Sequence, residues 1–191
     1  MRKILMLTAV VVLLCAVAPA TTAQDYEDYE AGSASDYALG LGVGLVDLDG
    51  SVEPYYSAGL RIRLGEHNQS REAVRYGGID GFLEPEVGYW ENDVSSDTMV
   101  GINLLGVIPY ESVDYYLGIG AGVHFFDTDV LVAGGRVVTE SDERFGGNAQ
   151  FGLDVHFSDS VSGFGTGRFD LVEGTENEVQ LKVILGLRFG F

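Results

Sequence analysis

Glu84 and Glu86, spaced two residues apart, are the first residues here whose type and spacing could do chemistry. On an extended strand they share a face. Paired carboxylates on one face can serve general acid–base catalysis. Their neighbours argue against it. Arg61 and Arg63 repeat the same spacing one segment earlier, and arginines beside carboxylates favour the ionised form of both, which suits an ion-pair network and not a proton donor. Two glycine-rich stretches, GLGVG (40–44) and GIGAG (118–122), invite a phosphate-binding reading. That reading needs a helix opening directly after the glycines, whereas here apolar alternation runs straight through them. His67, His124 and His156 come without a cysteine cluster, so zinc is not expected. The stretch DLDGS (47–51) opens like a calcium loop and lacks the later ligands. No metal and no cofactor is expected.

The elements that must position these residues are strands. Apolar side chains recur at every second position through Tyr37–Leu45, Tyr56–Leu64, Leu83–Tyr89, Val100–Leu104, Tyr115–Phe125, Ala149–Phe157, Phe169–Leu171 and Val179–Phe191. Period two places each apolar set on one face and the intervening set on the other. The seventh segment carries the weakest pattern. The last is apolar on one face up to its final residue, with Gln180, Lys182, Ile184, Gly186, Arg188 and Gly190 on the other. Segments of roughly ten residues have the length of tilted membrane-spanning strands. Eight of them make an even number, and a closed ring of strands leaves no backbone edge unpaired in lipid. The expected fold is all-β: an eight-stranded antiparallel up-and-down transmembrane barrel over residues 37–191.

The first 23 residues read as a secretory signal peptide: Arg2 and Lys3, an apolar run from Ile4 to Val17, then small-residue cleavage sites ending at Ala20 and Ala23. The apolar run is short of the ~20 residues that a spanning helix needs. The one cysteine, Cys15, lies in this segment, so the mature chain is expected to be without disulfides. Residues 24–36 are acidic and rich in small residues, and are expected to form a flexible tail. The formal charge is −18. Removing the leader takes away two bases and no acid, so the mature chain is more negative still. With no basic patch, nucleic acid is excluded as a partner.

The face opposite the apolar one is too charged for a soluble core. Arg61, Arg63, Arg168, Lys182 and Arg188 point to it, and so do Glu84, Glu86, Asp154 and Asp170. Buried charges must pair or they cost several kcal/mol each. Near balance therefore predicts a lumen filled by ion pairs, with Glu84 and Glu86 set against Arg61 and Arg63. Glycines on this face make room in a narrow interior. The outer loops are expected at 47–54, 91–97, 127–143 and 173–178, and short periplasmic turns at 109–114 and 158–161. The connection at 66–79 is long for that plan and implies an extra helical turn or a misplaced second or third strand. The outer loops are acidic, with Arg136 as their one base, which reads as a solvated surface.

The stretches YYLGIGAGVHF (115–125), GNAQFGLDVHFSDSVSGFG (147–165), RFDL (168–171) and LGLRFGF (185–191) carry a resemblance. The chain resembles the small bacterial outer-membrane β-barrel domain proteins related to the OmpA/OmpX-like group, a porin-like family. That resemblance implies that the terminal aromatic, Phe191, is a signal read by the barrel-assembly machinery. It also implies outer-membrane lipid and lipopolysaccharide as surroundings, a monomer, and no catalytic role. The expected function is structural or surface-interacting, with a narrow porin as its conducting variant. The alternative is a lipid A-modifying enzyme: His156–Phe157–Ser158 is similar to the His-x-Ser of outer-membrane lipid A deacylases. Such a pair belongs near the outer leaflet, and the expected topology puts it at the periplasmic end. A soluble lipocalin-like binder would be apolar inside and polar outside, the reverse of this pattern.

Overall fold

The computed structural model describes residues 35–48, 51–64, 79–110, 112–174 and 178–191. The proposed leader, most of the acidic tail and the connection at 65–78 lie outside the described residues. Eight strands follow in order: β1 (Tyr37–Leu48), β2 (Ser51–Leu64), β3 (Asp80–Glu91), β4 (Ser95–Tyr110), β5 (Val113–Val132), β6 (Arg136–Ser158), β7 (Val161–Val172) and β8 (Glu178–Gly190). Each pairs antiparallel with the next, and β1 closes on β8 from Ala38↔Gly190 to Asp47↔Leu181. Closure satisfies every lateral edge of the wall, so apolar side chains can face outward without leaving backbone groups bare. The outward set is apolar throughout the wall: Leu117 and Ile119 are each 66% exposed, and Leu39, Leu41, Ile102, Leu104, Leu185 and Leu187 also point out.

The strand assignments for β2 and β3 stand, so the long connection after Leu64 is not a misplaced strand. One end of the barrel holds the start of β1 and the finish of β8 and is called the terminal end below. The other end is called the hairpin end. At the hairpin end the strands run further than their polar composition suggests. The segment expected as a loop at 127–143 is instead a continuation of β5 and β6 around a turn at 133–135. Val130↔Val138, Leu131↔Val137 and Val132↔Arg136 pair across it. Gly134 and Gly135 take φ of 98° and 74°, values open to glycine and costly for other residues. β-branched residues beside such a turn favour a ribbon over a loop. The 47–54 and 91–97 loops shrink likewise. In the second, the Asn92 side chain accepts from the N–H of Val94 at 3.0 Å and of Ser95 at 2.8 Å, which fixes a tight turn.

β7 had the faintest pattern because Gly163, Gly165 and Gly167 occupy outward positions where apolar side chains were sought. Aromatic rings from β6 lie over two of them. A Cβ on Gly163 would come within 2.9 Å of the Phe157 ring, and one on Gly167 within 2.7 Å of the Phe151 ring. The apolar cover is supplied by the neighbouring strand. In the β2–β3 seam the ladder skips Leu60–Pro85 and Arg61–Glu84 between Gly59↔Glu86 and Ile62↔Leu83. Proline has no N–H to donate there. Asp36, expected in the flexible tail, is held down: Arg63 N donates to the Asp36 carbonyl at 2.8 Å, and the Arg63 guanidinium meets the Asp36 carboxylate at 3.3 Å.

Candidate functional site in the charged lumen

The inward positions of all eight strands converge on one narrow interior, and alternation alone puts the charges there. Arg61, Arg63, Glu84, Glu86, Asp154, Arg168, Asp170, Lys182 and Arg188 are all buried. They sort into two clusters of four, with Arg63 outside both.

The cluster toward the terminal end joins β2, β3, β6 and β8. Arg61 donates through Nε to Glu84 Oε2 at 3.1 Å and through Nη1 to Asp154 Oδ2 at 2.7 Å. Arg188 meets the other oxygen of Asp154 and reaches Glu84 Oε2 at 3.4 Å. Two cations thus share two carboxylates. The guanidiniums also lie over rings, Arg61 at 4.8 Å from the Tyr116 centroid and Arg188 at 4.5 Å from that of Phe164. Planar guanidinium suits both roles at once.

The second cluster lies toward the hairpin end. Arg168 donates to Glu86 Oε2 at 2.5 Å and meets Asp170 at 2.8 Å, while Lys182 meets Asp170 at 3.0 Å. Asn103 donates to Glu86 at 2.9 Å and accepts from Asn148 at 3.0 Å. Lys182 also stands 4.6 Å from the Tyr55 ring centroid. Glycine makes this cluster possible at one crowded point: a Cβ on Gly120 would strike Asn103, and would come within 2.6 Å of the Asn148 amide.

The grouping differs from the one expected. Glu84 and Glu86 share a face but belong to different clusters, and Arg63 contacts neither. Arg63 instead pairs with Asp80 at 2.7 Å and with Asp36, both nearer the rim. Residues two apart on a strand are separated by nearly 7 Å, whereas in a narrow barrel the opposite wall is as near as the next position. Partners are therefore chosen across the lumen and not along it. Asp80 is the acid that sequence reasoning missed; it lies just before Leu83, where apolar alternation began.

Two clusters of buried apolar side chains accompany the charges. Val46, Tyr55, Trp90, Phe126 and Val172 at the hairpin end form one buried cluster that continues inward through Ile184 to Phe164, and His124 is buried beside Phe126. His124 Nδ1 bonds Asp97 Oδ2 at 2.8 Å, and its ring stacks on Phe126 at 5.9 Å. Arg144 covers the other side of Phe126 at 4.7 Å. Phe82, Leu105, Val107 and Tyr116 form the second cluster, toward the terminal end. Between the two ends the inward charged side chains are tightly buried, Lys182 at 0% and Arg168 at 1% exposed. An internal cavity near the terminal mouth, beside Asp114, Asp154 and His156, has about 40 Å3, room for a few waters.

As chemistry, the lumen is a set of mutually neutralised charges. Every lumen carboxylate of the two clusters has a cation in contact; the hydroxyls of Ser141 and Thr139 donate to Asp127 and Asp129, outside the lumen on the exposed part of β5 and β6. His156 is paired with an acid. Its Nε2 bonds Asp114 Oδ2 at 2.8 Å, and His156 and Ser158 both lie at the terminal end beside the 159–160 turn.

No family model and no curated protein sequence matches this chain. Solved structures do resemble it. Neisserial surface protein A (NspA) superposes with a TM-score of 0.58 at 13% identity, covering 83% of this chain and 99% of that one. The N-terminal β-barrel domain of Pseudomonas aeruginosa OprF gives 0.52 at 10% identity, covering 82% and 99%. The outer-membrane enzyme PagL gives 0.51 at 16% identity, covering 81% and 99%. The chain has the fold of the small eight-stranded outer-membrane β-barrels.

Proposed function

We propose that this chain is an integral protein of the bacterial outer membrane, with a structural or surface-interaction role and a lumen that carries no solute. The observation that supports it most is the filled interior: two ion clusters packed among two clusters of buried apolar side chains. Opening a path would require separating buried ion pairs, each costing several kcal/mol. The outward belt fits a lipid surround, and the likeness to outer-membrane barrels fits the location. By the usual asymmetry of such barrels the longer hairpins face out, and the β5–β6 hairpin is the longest among the described residues; the 65–78 connection, at the terminal end, is the exception to short periplasmic turns. The hairpin end with its acidic rim then meets lipopolysaccharide and the outside. A single closed barrel with no open edge in its wall is in keeping with a monomer. The reading of Phe191 as the residue that the assembly machinery recognises belongs to this proposal too.

The experiment is planar-bilayer conductance of the refolded protein. The expected trace stays at the lipid baseline. Discrete steps at moderate voltage would return the reading to a narrow porin. PagL keeps an enzymatic role within reach of this fold, but the pair that invited it here, His156 and Ser158, sits at the terminal end, and His156 Nε2 is bonded to Asp114.

A further inference from the structure

β5 and β6 run 20 and 23 residues, against 12 to 16 for the other six strands. The excess stands above the wall as a two-stranded ribbon. β4 stops pairing with β5 at Ser95↔Thr128, and β7 stops pairing with β6 at Val172↔Gly146. Outward Phe125 and Phe145 mark the last aromatic level of the wall. The next outward residues are Asp127, Asp129 and Glu143, and Leu131 lies six residues past Phe125, about 20 Å along the strand. An acidic collar therefore separates the ribbon's tip from the barrel's own lipid.

That tip is aliphatic on both faces. Val130, Leu131, Val132, Val137 and Val138 gather around the Gly134–Gly135 turn, with Leu131 72% and Val137 62% exposed. Cross-strand packing of Val130 on Val138 and Leu131 on Val137 accounts for part of this choice. It does not account for leaving so much aliphatic surface in water at the farthest point of the molecule. Polar β-formers such as threonine would serve the ribbon equally well, as Thr128 and Thr139 do below it.

Taking the outward orientation of the previous section as its basis, we infer that the tip docks into an apolar cleft with a cationic rim on a partner protein. Charge complementarity selects that occupant. Asp127, Asp129, Glu140, Asp142 and Glu143 surround the stalk, and its bases are Arg136 and Arg144, the latter 2.8 Å from Asp142. A second copy would bring the same acids against these, and Glu140 and Glu143 along β6 guard its open edge against strand addition. Bilayer insertion is disfavoured as well: the tip has no Trp or Tyr, and anionic head groups would repel the collar.

The test uses the full barrel in zwitterionic nanodiscs and a labelled peptide of alternating valine and threonine flanked by lysines, with a glutamate-flanked twin. The lysine peptide should bind, and the Leu131→Ser/Val137→Ser double variant should weaken it by about tenfold or more, as loss of an apolar anchor does. Glu140→Gln/Glu143→Gln should weaken it further at low salt than at high. No binding of the lysine peptide, equal binding of both peptides, or indifference to the tip variant overturns the proposal. Tip-dependent capture by zwitterionic vesicles, with the peptide ignored, overturns it in favour of a membrane. Labelling of Leu131→Cys on intact cells by an impermeant maleimide examines the orientation separately: labelling supports it, and protection overturns the outward reading whatever the peptide does in nanodiscs.

Discussion

Arg168 on β7 donates to Glu86 on β3 at 2.5 Å, across the full width of the barrel. The two strands are four positions apart in a ring of eight, so this contact is a strut between opposite walls. Arg61 on β2 and Asp154 on β6 form a second strut, again four strands apart, at 2.7 Å. The barrel is held shut by its hydrogen-bonded wall and braced by charges through its centre.

Breaking the first strut on one side unbalances buried charge: Glu86→Gln leaves Arg168 and Lys182 sharing Asp170, and Arg168→Met leaves Glu86 with Asn103 but no cation. Glu86→Gln should destabilise the barrel by about 3–5 kcal/mol, and Arg168→Met by a similar amount. The double variant should cost less than the two single changes together, because neither then leaves a stranded charge. Urea unfolding in detergent micelles, followed by tryptophan emission, measures all three.

Arg61 and Arg63 should separate sharply, though they are neighbours on one face. Arg61→Ala leaves two buried carboxylates, Glu84 and Asp154, to share Arg188 alone, and should cost a few kcal/mol. Arg63 pairs with Asp36 and Asp80, whose side chains are 70% and 32% exposed. Water takes over from the lost partner there, so Arg63→Ala should cost about 1 kcal/mol or less from its ion pairs. Equal losses for the two would mean that rim and centre are equally dry.

The seam at Pro85 predicts a local effect. Pro85→Val adds an N–H where the β2–β3 ladder lapses, and valine suits an outward lipid-facing position. The added bond is worth about 1 kcal/mol, partly offset by the freer unfolded chain. Amide exchange should slow around Leu60 and stay unchanged in β5 and β6. Unaltered exchange on β2 would mean that the gap has another cause.

Phe191 is 72% exposed, with its ring stacked on Tyr37 at 6.2 Å and its N–H bonded to the Tyr37 carbonyl at 2.9 Å. Deleting it removes little buried area, about 1–2 kcal/mol. Refolding yield in detergent should barely move, while the amount in the outer membrane of cells should fall sharply. Normal cellular levels would reduce the residue to a packing role.

Strand number, inward and outward faces and the presence of a charged lumen were legible in the sequence. They follow from period two, which every strand obeys locally, whatever surrounds it. The limits of that reading were local as well. Outward glycines on β7 hid its pattern because their cover comes from Phe151 and Phe157 on another strand, and the polar residues on either side of Val130–Val138 disguised a ribbon as a loop. Which charge meets which was beyond the sequence altogether. Glu84 and Glu86 are two residues apart and look like a pair, yet one meets Arg61 and Arg188 and the other meets Arg168. Composition determined that the lumen had to be neutralised; only closure of the ring, which brings β2 opposite β6 and β3 opposite β7 within one side chain's reach, decided how.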